Sequence, residues 1–168
     1  MLLLACYADK EHGEMEKKDL ITYCGLYCGL CSQLNRVPKQ AKALQETLKK
    51  EGWESFGHYQ KNFNEFWAFL NRLVDSENRC SCRKGTCGAP CGIKKCVQSK
   101  SIEMCPFCAE YPCERILGIA KGYPMMLADA KRMIEKGIDA WVEEQEDRRK
   151  TGFVYADIRY LPYEVADK

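Results

Sequence analysis

Apolar positions return every three or four residues through much of this chain, and where that period stops the cysteines crowd in. Ala41, Leu44 and Leu48 share one helical face. A helix is therefore expected from Pro38 to Lys50, with Pro38 suited to its first turn and Gly52 ending it. Phe63, Phe66, Trp67, Leu70 and Val74 keep the same spacing across 59–75, and that aromatic stripe reads as core rather than as a binding face. A third helix is expected from Pro112 through Ile116, Leu117 and Ala120 to Gly122. A fourth covers Met125 to Lys150, with Met126, Ala130, Met133, Ile134, Trp141 and Val142 on its apolar side and Gly137 placed to divide it. Near its end Glu144–Arg148 and Glu146–Lys150 stand four apart in the stabilising order, which reads as a solvated helix end. The sequence G-F-V-Y-A-D-I-R-Y-L-P from Gly152 alternates loosely and is expected to pack as an extended strand over the helices. No internal repeat is visible.

Between the second and third helices the period disappears. Residues 79–113 read R-C-S-C-R-K-G-T-C-G-A-P-C-G-I-K-K-C, then C-P-F-C-A-E-Y-P-C, punctuated by glycine, proline and cysteine with no apolar face. Ordering a backbone costs roughly 1–2 kcal/mol per residue, and this stretch offers little greasy surface to offset it. The thiols are then the groups expected to hold it.

Composition sharpens that expectation. Twelve of 168 residues are cysteine, whereas histidine occurs only at positions 12 and 58. Any metal site must be mostly or wholly thiolate. The remaining composition is that of an ordinary globular protein, with 46% hydrophobic and 30% charged residues. A net charge of +2 gives no electrostatic case for a nucleic-acid or membrane-surface protein. The start, M-L-L-L-A-C, lacks the basic residue and longer apolar run of an export signal, and no segment reaches the ~20 apolar residues of a membrane span. The expected compartment is the cytoplasm, where thiols stay reduced. An even cysteine count leaves a disulfide framework open by arithmetic, and the missing export signal argues against it.

Two C-x-x-C pairs stand out, Cys28-Gly-Leu-Cys31 and Cys105-Pro-Phe-Cys108. That spacing lets both sulfurs of a tight turn face one ion, and two pairs complete a four-sulfur shell for Zn²⁺. Four cysteines are followed at once by glycine: Cys24, Cys28, Cys87 and Cys91. Glycine allows a positive φ that wraps backbone around an ion and aims amides at thiolate charge, which a disulfide does not need. Cys6 stands apart and reads as a small buried residue. Eleven cysteines remain as candidate ligands: Cys24, Cys28, Cys31, Cys80, Cys82, Cys87, Cys91, Cys96, Cys105, Cys108 and Cys113. Spacing alone does not group them into sites.

Other chemistries compete for the same residues. Cys24-x3-Cys28-x2-Cys31 has the spacing with which radical S-adenosylmethionine enzymes hold a [4Fe–4S] cluster, but no strands alternate with the helices to build their barrel. The ferredoxin run C-x2-C-x2-C-x3-C-P is absent, yet any four thiolates can ligate iron, so an Fe–S cluster for electron transfer or redox sensing is the alternative cofactor. No βαβ pattern surrounds either C-x-x-C, as a thioredoxin-like exchange site needs. No phosphate loop, G-x-S-x-G or H-E-x-x-H occurs, so no catalytic residue is assigned, and an enzyme with an open zinc site ranks last. His58 reads as a surface or capping residue. Tyr155, Asp157 and Arg159 alternate on one face of the tail and read as a structural hydrogen-bonding set.

Y-C-G-L-Y-C-G-L-C from Tyr23, C-G-I-K-K-C from Cys91 and C-P-F-C-A-E-Y-P-C-E-R-I from Cys105 occur in that order. Together they resemble a widespread microbial family of cysteine-rich domains of unknown function, presumed to bind zinc. The likeness covers about residues 20–122. It implies a ligand role for Cys24, Cys28, Cys31, Cys82, Cys91, Cys96, Cys105, Cys108 and Cys113, and it implies no reaction. The pattern departs from the family at Cys80-Ser-Cys82, where a longer gap is expected.

The expected fold class is mainly α: a small helical domain with cysteine-rich, metal-stabilised loops and a C-terminal helical extension. The expected division is a flexible arm over 1–19, the cysteine-rich metal-binding domain over 20–122, and the extension and tail over 123–168. The expected function is a zinc-binding module with structural four-thiolate sites, acting as a binding or adaptor unit for a protein partner.

Overall fold

The computed structural model describes residues 16–75, 81–85, 87 and 91–158. Seven α-helices and several single 3-10 turns make up the described chain: α1 Arg36–Lys50, α2 Trp53–Phe56, α3 Phe63–Val74, α4 Gly92–Ser99, α5 Glu114–Ala120, α6 Met126–Lys136 and α7 Ile138–Lys150. Pairing between extended segments is confined, among the described residues, to one antiparallel bridge between Ile21 and Tyr27. The fold is mainly α, as the period of the apolar residues requires. Among the described residues no helix is long and apolar enough to cross a membrane.

Helices α1 and α3 pack on one another, tied by a Gln45–Asn71 hydrogen bond of 2.6 Å. α3 starts at Phe63, four residues later than its aromatic pattern suggested, because Asn62 sits at a left-handed φ of 62° and breaks the backbone there. The preceding residues form the short α2 and a 3-10 turn carrying His58 on the surface, beside the ring of Tyr59. A helix pair buries only a narrow stripe of each partner. Phe63, Leu70 and Ala41 fill that stripe, while Leu44 and Phe66, expected inside, remain exposed.

The main core lies elsewhere. Leu20, Ile21, Tyr27, Leu30 and Met104 meet Met133, Trp141, Val142 and Tyr155. α6 and α7 thus close over the loops that carry the first cysteines. Gly137 divides the two helices as expected, with φ 85°. Ile134 departs from its expected role and is exposed, as is Leu117 of α5. The tail forms a 3-10 turn, Tyr155–Asp157, and not the expected strand. Tyr155 points inward, whereas Asp157 reaches out to Arg36, with Nη1 to Oδ1 at 2.6 Å and Nη2 to Oδ2 at 2.8 Å. The two residues therefore do not act as one hydrogen-bonding face, and Arg159 lies outside the described residues.

The cysteine-rich stretch holds more apolar material than its sequence advertises. α4 was not expected, because its buried side consists of only Ile93 and Val97. These two join Cys105, Ile116 and Met126 in a second small core. The loop from Cys91 onward therefore has buried apolar contacts of its own.

The charged end of α7 is also not merely solvated. Glu146 is buried and accepts the Tyr27 hydroxyl at 2.6 Å. Arg148 turns to the buried Asp129, at 3.2 Å, instead of to Glu144, and Glu144 pairs with Lys136 and Arg132 of α6. Lys150 pairs with Asp147. At Glu144 and Arg148, side chains of α6 displace the i, i+4 partner.

Candidate metal centre

Both C-x-x-C pairs fold the same way. Cys28–Leu30 and Cys105–Phe107 are single 3-10 turns, each closed by a 2.9 Å hydrogen bond from the amide of the second cysteine to the carbonyl of the first. Such a turn sets two side chains three residues apart on one side. Four of the cysteines thus leave the backbone in two pre-formed pairs.

The turns are tied together through Tyr23 and Cys24. The amide of Cys105 donates to the Tyr23 carbonyl at 2.8 Å, and the amide of Tyr23 donates to Cys82 Sγ at 3.4 Å. Residues 81–83 dock on 19–23 by side-chain contacts. The Ser81 hydroxyl donates to the Asp19 carbonyl, Arg83 Nε donates to the Ile21 carbonyl at 3.1 Å, and the Arg83 guanidinium lies over the Tyr23 ring at 4.9 Å. Cys87 joins through its amide bond to the Ser81 carbonyl, 3.3 Å. Cys91 caps α4, Cys96 lies within it, and Cys113 caps α5.

Gly25 shows why glycine follows Cys24. Its φ is +90°, and a Cβ there would stand 2.8 Å from Pro106 Cγ, inside the second C-x-x-C turn. The other described Cys-Gly steps do not use positive φ. A Cβ on Gly29 would press on the Tyr27 ring at 2.6 Å, and Gly92 begins α4. Close approach explains the first of these, and helix entry accompanies the second. Among the described Cys-Gly steps, the positive φ expected of these glycines occurs at Gly25 alone.

Burial raises four of the thiols, and neighbouring thiols add to each shift. Burial pushes the Cys28 thiol well up, and the charges of Cys82, Cys31, Cys24 and Cys87 push in the same direction. Burial carries Cys105 up to about 12, with Cys24, Cys113, Cys108 and Cys96 adding to it. Cys24 belongs to both surroundings. Its own thiol is raised by burial, eased by Thr22 Oγ1 at 3.0 Å, and raised again by Cys91. Burial also raises Cys82, and the Tyr23 amide partly offsets it. Desolvation and like charge thus act together against a bare thiolate, as they do wherever several acids share a dry site.

Ten of the eleven candidate ligands neighbour at least one other thiol closely enough to shift it or be shifted by it; Cys80 lies outside the described residues, as does Cys6. No disulfide joins any of the ten. Among the described residues, no three His, Cys, Asp or Glu side chains already stand as a closed ligand set. In chemistry the donors suit a soft divalent ion, since all are sulfur and come in pairs. His58 takes no part, lying exposed in the turn before α3.

Three other residues belong to the site and carry no sequence signal. Thr22 holds the first loop, accepting the Leu26 amide at 2.8 Å and donating to the Leu26 carbonyl at 3.0 Å. Lys100 Nζ approaches Cys108 Sγ at 3.9 Å. The Tyr111 hydroxyl is buried with no hydrogen-bond partner, and its phenol is pushed up to about 12 by burial and then by Cys105, Cys24 and Cys113. Only the fold brings these groups to the sulfurs.

No curated protein and no solved structure matches the chain. A family model described as "Protein of unknown function (DUF3795)" matches residues 20–118, more than half of the chain, and the chain belongs to that family.

Proposed function

We propose that this member of the family is a zinc-binding module in which thiolates from separate segments clamp the loops around Tyr23. The observation that carries the reading is that ten described cysteines carry no disulfide and that burial, with neighbouring thiols adding to it, disfavours the thiolate at four of them, Cys24, Cys28, Cys82 and Cys105. A divalent cation reverses that balance, because it supplies the missing positive charge and deprotonates its ligands. On this reading Cys28, Cys31, Cys82 and Cys87 would supply one four-sulfur set once an ion draws them together. Cys96, Cys105, Cys108 and Cys113 would supply the other. Cys24 lies between them with Cys91 as its neighbour, and Cys80 is a further candidate.

All-sulfur sets saturated by protein leave no open position for substrate, so the ions serve structure. The binding role falls to the surface. Phe56, Tyr59, Phe66 and Phe69 are large exposed aromatic residues in α2, α3 and the turn between them. Exposed aromatics of this kind suit a protein partner better than a nucleic acid or lipid headgroup, given a net charge of only +2. The same thiolates would ligate an iron–sulfur cluster, and colour separates the two.

Protein purified without oxygen from a zinc- and iron-replete culture is the test. About two zinc ions per chain and no absorption near ~400 nm is the expected result. A brown, iron-loaded protein would transfer the sites to Fe–S chemistry. A metal-free protein that takes up neither ion would end the metal reading.

A further inference from the structure

The Tyr111 hydroxyl oxygen is buried and makes no hydrogen bond among the described residues. A buried hydroxyl in that state has lost its water and gained nothing in return, so it calls for an acceptor. We infer that this hydroxyl donates to the Cys105 thiolate when the set of Cys96, Cys105, Cys108 and Cys113 holds an ion, which makes Tyr111 a positioning residue of that set. This role rests on the zinc reading and deepens it.

The chain puts Tyr111 among these sulfurs. It stands between Cys108 and Cys113 in sequence, and its amide donates to the Cys108 carbonyl at 3.0 Å. Tyr111 packs against the small core that contains Cys105, as do Cys24 and Cys113. The charges of these same three sulfurs act on its phenol, that of Cys105 most strongly.

Burial and the placing of the other donors single out Cys105. Thr22 Oγ1 lies 3.0 Å from Cys24 Sγ, the Tyr23 amide 3.4 Å from Cys82 Sγ and Lys100 Nζ 3.9 Å from Cys108 Sγ. Cys105 is the one buried cysteine of the ten, and among the described residues no donor reaches its sulfur. Four thiolates around one divalent cation keep a net negative charge, and donors outside the ligand shell stabilise it. A buried thiolate needs such a donor most, because water cannot supply it. The orphaned hydroxyl and the unserved sulfur satisfy one another, and an O–H bond to an ionised acceptor is stronger than one to a neutral thiol. The ion, by deprotonating Cys105, creates the acceptor that the hydroxyl lacks.

The experiment uses the full-length protein loaded with zinc, and a parallel sample loaded with cadmium. Tyr111→Phe keeps the ring and removes the hydroxyl alone, and circular dichroism checks that the fold is kept. Zinc is withdrawn by competition with a colorimetric chelator. One of the bound ions is expected to be held roughly ten-fold less tightly in Tyr111→Phe, and the other as tightly as in the parent. In the cadmium sample, one metal NMR resonance is expected to move and the other to stay, because a lost bond to one thiolate changes the electron density that this sulfur gives its own ion. Zinc retention equal to the parent's, or equal weakening of both ions, would overturn the role of Tyr111 and leave the zinc reading standing. A parent protein that takes up neither zinc nor cadmium would overturn both.

Discussion

The Tyr27 hydroxyl donates to Glu146 Oε1 at 2.6 Å, joining the first cysteine loop to α7 across 119 positions of sequence. Tyr27 is fully buried, and its ring stands edge-on to Trp141 at 6.0 Å. The carboxylate is held in turn by Arg149, 3.6 Å away. One residue of the Y-C-G-L-Y-C-G-L-C motif thus fixes the C-terminal helix, and the cysteine turn beside it inherits that position.

Tyr27→Phe removes the donor and leaves a buried acceptor facing an apolar ring. Bonds to charged groups are worth roughly 1.5–3 kcal/mol, and the variant should lose that much in urea unfolding. Glu146→Gln keeps an acceptor and should lose less. A Tyr27→Phe protein within ~0.5 kcal/mol of the parent would show that the bond does not hold α7.

Gly25→Ala combines a backbone penalty with a clash on Pro106. Gly85 also has positive φ, +74°, but nothing lies within 4 Å of its Cβ position. Alanine at 85 should cost about 1 kcal/mol from φ alone, and alanine at 25 should cost clearly more. Because Pro106 sits in the second C-x-x-C turn, Gly25→Ala should also weaken metal retention in a competition with a colorimetric chelator. Equal costs at the two positions would refute the close approach.

The Arg36 guanidinium holds the Asp157 carboxyl below the usual carboxylate range, with the Val154 amide helping at 3.1 Å. A depressed folded value means that the contribution is complete above the unfolded pKa, about 3.9, and is lost as pH falls through the folded one. The 153–158 turn should therefore stay tied to α1 down to about pH 4 and release below it. An NMR titration of the Asp157 carboxyl carbon reads this directly. A midpoint at or above the ordinary value would contradict the ion pair.

Metal removal should act regionally. The α1–α3 pair makes its own contacts, whereas residues 81–83 rest on a few side-chain hydrogen bonds. Hydrogen exchange after chelation at neutral pH should speed up across 81–113 and leave α1 and α3 protected. Residues 92–99 should lose less protection than 81–87, since Ile93 and Val97 remain packed. Uniform exchange before and after chelation would remove the structural role of the ion.

The sequence by itself determined what depends on near neighbours. A helical period is written by residues three and four apart, so α1, α3, α6 and α7 were legible, as was the break at Gly137. The paired turns at Cys28 and Cys105 were legible from the C-x-x-C spacing. α4 was missed because two buried side chains make too short a period to see. Tertiary structure alone decided which distant thiols neighbour Cys28 and Cys105, because Cys82 and Cys24 come from segments some fifty and eighty positions away. It also decided that Glu146 turns inward, that Phe66 and Ile134 stay out, and that Tyr155 lines a pocket. Those outcomes are set by which surfaces the packed helices leave to one another, and no local pattern records that competition.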